Sequence, residues 1–152
     1  MVSKKRVHSL LKSSFRTHSP EATLQLAEKT AKGLKLGMVV ALTGEIGSGK
    51  TVFIKGLARG LGVKDSSEVK SPTFVLLHLY EGRVPIHHFD LYRLERENEL
   101  DAIGFDDFVS DPEAISLVEW AERAPGRIPK NAVQVQIKIT GPSSRLIRIQ
   151  FR

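Results

Sequence analysis

The stretch Gly44-Glu45-Ile46-Gly47-Ser48-Gly49-Lys50-Thr51 fits G-x-x-x-x-G-K-[ST], and its flanks restrict the fold more than any other part of the chain. The apolar run Met38-Val39-Val40-Ala41-Leu42 precedes it, and Val52-Phe53-Ile54-Lys55-Gly56-Leu57-Ala58, with helical spacing, follows. A buried strand must therefore pass through a glycine loop into a helix. Glycines at 44, 47 and 49 allow backbone angles that a side chain forbids, so successive N–H groups can turn inward around a polyphosphate at the positive end of the helix. Lys50 is then placed to reach the β- and γ-phosphates, and the Thr51 hydroxyl to be a ligand of Mg²⁺. Lys50 is expected in a solvated phosphate site rather than in the core. Ordinary strand-to-helix turns also use Gly, Ser and Thr, but the strand before and the helix after favour nucleotide binding.

At 152 residues the chain has the length of one domain with one sizeable core. The composition, 41% hydrophobic and 26% charged, is that of a soluble protein. Apolar runs stop well short of the roughly 18 residues of a membrane span, and no secretory leader is recognisable. Zero cysteines rules out disulfides and thiolate metal sites and suits the cytoplasm. A net charge of +6 would suggest a nucleic-acid partner, but Lys4, Lys5, Arg6, Lys12 and Arg16, with no acid before residue 20, supply five of those charges. The excess belongs to an N-terminal tail, read either as a solvated extension, as an arm touching RNA, or as transit-like.

Ser19-Pro20-Glu21 opens the first helix, with Ser19 as N-cap, Pro20 at the first helical position and Glu21 favoured by the dipole. Leu24, Ala27, Ala31 and Leu34 are its buried stripe. After the phosphate loop the next helix runs to Gly60. Residues 63–70 read as a loop, and Ser71-Pro72 starts an extended segment. Residues 73–80 read as a strand, 84–90 as its hairpin partner, and 95–103 as a short amphipathic helix ended by Gly104. His87 and His88 lie next to each other on the hairpin strand and face opposite ways, so they cannot chelate one metal together. Asp106, Asp107 and Asp111 read as a solvated loop and cap. Val133, Val135, Ile137 and Ile139 alternate with polar residues, and residues 146–151 return, forming a C-terminal antiparallel hairpin.

A phosphate loop needs a carboxylate to hold the metal, usually at the end of a neighbouring buried strand, and a group that orients water. Ile86-His87-His88-Phe89-Asp90 and Ile115-Ser116-Leu117-Val118-Glu119 both end that way. Glu119 follows the more buried run and is assigned the magnesium; Asp90 is assigned the metal's outer sphere or the water. Ser71 and Thr73 lie where phosphate-loop GTPases keep a hydroxyl that senses the γ-phosphate. Trp120 is either core or an aromatic surface for a partner.

Gly44 to Thr51, Ser71-Pro72-Thr73-Phe74, His88-Phe89-Asp90-Leu91-Tyr92-Arg93-Leu94 and Val118-Glu119-Trp120, in this order, resemble the bacterial TsaE (YjeE) family of small P-loop ATPases. The resemblance covers about residue 19 to the C-terminus. It implies an α/β, P-loop NTPase-like three-layer fold with a mixed, mostly parallel central sheet. Residues 19–152 would be the ATPase domain, and residues 1–18 a flexible basic extension with no counterpart in the family. The implied activity is a weak, Mg²⁺-dependent ATPase. It would be needed for threonylcarbamoyl modification of adenosine 37 in tRNAs reading A-starting codons, working with the TsaD–TsaB heterodimer and meeting tRNA only through that complex. Carried onto this chain, the nucleotide loop falls on Gly47, Ser48, Gly49, Lys50 and Thr51, with Gly44 and Glu45 opening it. The metal ligands fall on Thr51 and Glu119, the functional aspartate on Asp90, and an upstream threonine near the nucleotide on Thr23. The chain departs from the family in Val52, where a second threonine is usual, and in Glu45-Ile46, where Asp-Leu is common.

Two other classes compete: a small-molecule kinase, which needs a helical lid with arginines where this chain has only Arg93 and Arg96, and a nucleotide-dependent binding module. The absence of N-K-x-D favours ATP over GTP.

Overall fold

The computed structural model describes residues 12–72 and 75–152. Its strands are β1 (Lys12–Thr17), β2 (Val39–Gly44), β3 (Leu77–Glu81), β4 (Pro85–Asp90), β5 (Ile115–Glu119), β6 (Val133–Ile139) and β7 (Arg145–Gln150). Its α-helices are α1 (Pro20–Ala31), α2 (Lys50–Gly60), α3 (Glu99–Ala102) and α4 (Phe105–Val109). The seven strands form one sheet in the order β1-β7-β6-β2-β5-β4-β3. The centre, β6-β2-β5-β4, is parallel; β7 and β1 extend one side and β3 the other in antiparallel pairing. The expected mixed α/β sheet with a C-terminal hairpin is thus the observed one.

Alternation along β2 explains the layers. Val40 and Leu42 face one side, where Phe53, Ile54 and Leu57 of α2 and Ala27 and Ala31 of α1 cover them. Val39 and Ala41 face the other, against Phe89, Leu91, Leu100, Phe105 and Val118. Both faces are buried, which is why β2 reads as an unbroken apolar run.

Helices α1 and α2 touch through their smallest residues. A Cβ on Gly56 would lie 2.3 Å from the Leu24 carbonyl oxygen and 2.5 Å from the Ala27 Cβ, and one on Gly60 would lie 2.6 Å from the Ala31 Cβ. Without side chains at these points, α2 lies close enough to α1 to fix the direction in which its N-terminus points.

Three boundaries differ from those read in the sequence. The ordered domain begins before Ser19: residues 12–17 are strand β1, paired with β7 from Lys12↔Gln150 to Thr17↔Arg145. Phe15 packs on the core and Thr17 is buried, while Ser14 and Arg16 are exposed, an alternation that the basic composition hid. Residues 1–11 of the proposed extension lie outside the described residues. The strand read over 73–80 starts at Leu77, because Val75 and Leu76 turn back to the Pro72 carbonyl and Leu76 takes φ 68°. The helix read over 95–103 is the four-residue α3. Gly104, at φ 71°, ends that segment and opens α4, whose first turn holds Asp106 and Asp107. Arg127 bridges Asp106 and Asp101 at 3.2 and 2.5 Å, so this acidic stretch is partly neutralised.

Gly56→Ala is expected to destabilise the chain by about 1–3 kcal/mol despite alanine's better helix propensity, because the added methyl meets backbone rather than a movable side chain. A urea melt checks this; a raised midpoint would show that α1 and α2 separate freely.

Candidate functional site

Strand β2 ends at the loop, and α2 begins at its far end. Gly47 and Gly49 hold φ of 76° and 104°, and a Cβ on either would meet nothing within 4 Å. Both glycines are therefore required by backbone conformation rather than by crowding, and the loop curves around open space. The N-terminus of α2 carries no side-chain cap and no acid in its first turn, so its N–H groups remain available to an anion. Ser48 is buried, and its Oγ has no partner among the described residues.

Lys50 departs from expectation. Its side chain is folded under the loop, only 5% exposed. The Nζ donates to the carbonyls of Gly44 (2.5 Å) and Glu45 (2.9 Å) and sits 3.9 Å from the centroid of the Trp120 ring. Burial pushes the ammonium below the usual lysine range, against the opposing pull of Glu122, Glu119, Asp90 and Glu45. Gly44 and Glu45 act here through their carbonyls, and the Gly44 N–H donates to Glu122 at 3.4 Å.

The two strand-end acids are cross-strand partners, Asp90↔Glu119. Both are buried. Thr51 Oγ1 donates to Glu119 Oε1 at 3.0 Å, and His88 Nε2 lies 2.7 Å from Glu119 Oε2. Asp90 Oδ1 accepts from the Tyr92 N–H at 2.9 Å, and Oδ2 accepts from the Ser71 hydroxyl. Trp120, at φ 56°, turns its ring over the same space and packs on Tyr92 at 5.0 Å. A cavity of about 500 Å³ is lined by Gly47 to Val52, Ser71, Asp90, Glu119 and Trp120. The structure therefore gathers Lys50, Thr51, Asp90 and Glu119 around one opening.

A second cavity of about 280 Å³ lies on the other side of the loop, sharing Gly47, Ser48, Gly49 and Val52 with the first and adding Thr23, Pro142, Ser143 and Arg145. Thr23 is buried, with its Oγ1 2.8 Å from that of Thr17. Thr73 lies outside the described residues.

For a magnesium ion, Thr51 Oγ1 and Glu119 Oε1 form a fitting donor set, being hard oxygens side by side next to an anion cradle. Among the described residues no group of three or more His, Cys, Asp or Glu side chains offers an all-protein cage.

Two contributors escaped the sequence. Arg145, at the start of β7, donates through Nε to the Ser48 carbonyl (2.8 Å) and through Nη2 to the Gly47 carbonyl (3.2 Å), clamping the outside of the loop. It is 95 residues from Lys50 in a hairpin strand, and no local pattern marks it. His88 did carry a signal: two residues before Asp90 on a strand, it must share that residue's face.

A family model described as Threonylcarbamoyl adenosine biosynthesis protein TsaE matches residues 17–147. The curated tRNA threonylcarbamoyladenosine biosynthesis protein TsaE of Bacillus subtilis is 40% identical over 134 residues, 88% of this chain and 82% of that one. The protein of the same description from Treponema pallidum is 34% identical over 133 residues, covering 88% and 96%. That from Aquifex aeolicus is 39% identical over 132, covering 86% and 90%. The crystal structure of YdiB from Bacillus subtilis superposes with a TM-score of 0.70 at 33% identity, covering 93% of this chain and 86% of that one. With the glycine loop, the paired strand-end acids and the antiparallel extension all in place, the chain belongs to the TsaE family.

Proposed function

We propose that this chain is the ATP-binding and hydrolysing component of tRNA threonylcarbamoyladenosine biosynthesis, supporting modification of adenosine 37 together with a TsaD–TsaB heterodimer. Family membership supports the pathway; the convergence of Lys50, Thr51, Asp90 and Glu119 on one opening at the start of α2 carries the nucleotide reading.

In this reading the uncapped N-terminus of α2 and the loop N–H groups, other than that of Ser48, which donates to the Glu45 carbonyl at 3.1 Å, bind the polyphosphate. Lys50 is the positive charge beside it, made stronger by its dry surroundings. The nucleoside end would occupy the cavity of Thr23, Val52 and Arg145, where Val52 removes a hydroxyl near the α-phosphate while Thr23 and Arg145 keep polar groups in the lining. Mg²⁺, when bound at Thr51 and Glu119, would neutralise charge on the β- and γ-oxygens. Asp90, its carboxylate fixed by Ser71 and the Tyr92 N–H, is placed to accept a hydrogen bond from water and orient it. Thr73, two residues beyond Ser71, is the proposed γ-phosphate contact. The kinase alternative loses ground because α3, after Asp90, spans only four residues and makes no helical lid. Among the described residues no helix is long and apolar enough to cross a membrane.

Lys50→Ala is expected to remain folded by circular dichroism yet bind ADP at least tenfold more weakly, since each charge-assisted bond it gives is worth about 1.5–3 kcal/mol. A folded variant that sustains normal tRNA modification with the purified partner subunits would overturn the proposal.

Glu119→Gln should keep ADP affinity in EDTA within about threefold while phosphate release from ATP with Mg²⁺ falls by on the order of 100-fold, the amide keeping shape but losing charge. Parallel losses in both measurements would assign the metal to Asp90 instead.

A further inference from the structure

Glu119 is 2% exposed, and a carboxylate so buried needs partners for both oxygens. Oε1 faces Thr51 and the opening. Oε2 faces away from it, toward His88, which is itself fully buried. The other ring nitrogen of His88, Nδ1, lies 3.1 Å from the hydroxyl of Tyr80 on β3. That hydroxyl lies 3.2 Å from the Lys70 carbonyl and 3.4 Å from the Lys70 N–H. Lys70 is followed by Ser71, whose hydroxyl donates to Asp90, and Asp90 is the cross-strand partner of Glu119. The contacts form a closed circuit from Glu119 through His88, Tyr80, the backbone at 70–71 and Asp90 back to Glu119 across the β4–β5 ladder, with Thr51 joined to it at Glu119.

We propose that His88 and Tyr80 are positioning residues that fix the outer oxygen of Glu119 and tie it to the backbone at Lys70, so that the metal-ligand carboxylate and the segment carrying Ser71 are set together. The proposal rests on the nucleotide and metal reading above and adds to it a mechanical link. Glu119 reaches the opening from the end of a five-residue strand, and without a partner on Oε2 its carboxylate would be free to rotate away from Thr51. His88 supplies that partner from the adjacent strand, and Tyr80 fixes the imidazole by its far nitrogen. Partners of this kind orient a ligand, and their loss typically weakens metal binding about 10–100-fold without touching the metal. Because Tyr80 is held by the backbone of the approach to residues 71–72, displacement of that approach disturbs the imidazole, and a shift of Glu119 is transmitted to Ser71.

The test uses the full chain loaded with ADP, Mn²⁺ as an electron-paramagnetic probe, and three variants. Tyr80→Phe removes one hydroxyl and keeps the ring that packs on His88 at 5.8 Å. His88→Leu removes both polar contacts, and His88→Gln restores a donor toward Glu119. Expected are a three- to tenfold weaker Mn²⁺ affinity for Tyr80→Phe, at least tenfold for His88→Leu, and recovery of most of that loss in His88→Gln. ADP affinity in EDTA should stay within twofold of the wild type throughout. Hydrogen exchange should show the Ser71 region slowing when Mn²⁺ joins ADP in the wild type and losing that response in Tyr80→Phe. Unchanged Mn²⁺ affinity in Tyr80→Phe, with only a lower urea midpoint, would show the pair to be structural and overturn the inference alone. A wild-type chain that binds ADP but no Mn²⁺ with it would overturn the inference together with the metal reading, and one that binds no ADP would overturn the nucleotide reading as well.

Discussion

Leu42 pairs with Glu119 and Glu119 pairs with Asp90, so the parallel strands β5 and β4 end on one line across the sheet, and β2, which runs on to Gly44 beside β6, ends just past it. At that line each chain leaves its strand and needs other partners for its backbone and side chains. β2 becomes the glycine loop, β5 turns at Trp120, and β4 turns at Leu91 and Tyr92. The site is the joint product of these three exits. Parallel pairing causes this, because antiparallel neighbours would place strand ends on opposite sides.

The exits bring together groups that would not be buried near each other without compensation. Lys50 loses water but gains two carbonyls, an aromatic face and the field of four carboxylates. Glu119 and Asp90 gain two hydroxyls, an imidazole and a peptide N–H. Each charge is buried with partners already aimed at it, so the site approaches a ligand with its dipoles oriented rather than reorganised from solvent.

How much of this the sequence carried depends on whether the signal was local. The glycine loop, its strand and its helix are contiguous, and the period of each was legible. Both acids were legible because each ends a segment that reads as a strand. The strand at residues 12–17 was hidden because its outward residues are basic, so composition outweighed an alternation of only three inward positions. The late start of α3, at Glu99 rather than residue 95, and the turn at Leu76, a left-handed leucine whose carbonyl accepts from the Asp90 N–H, carried no local pattern. Arg145 was hidden most completely: its role follows from β7 lying beside β6, and β6 beside β2, a relation that the order of residues along the chain does not express.

The same arginine bears on the smallest piece of this chain that could work. Apart from Thr23, every residue that the sequence motifs select lies between Gly44 and Trp120, so a fragment ending soon after Trp120 would look complete. It would lack the guanidinium that binds the Ser48 and Gly47 carbonyls and so holds the outside of the loop. The last two strands, without a motif, therefore both supply Val133, Val135, Ile137, Ile147 and Ile149 to the core and brace the loop, and shortening the chain from its C-terminal side would leave the motif whole while removing the support beneath it.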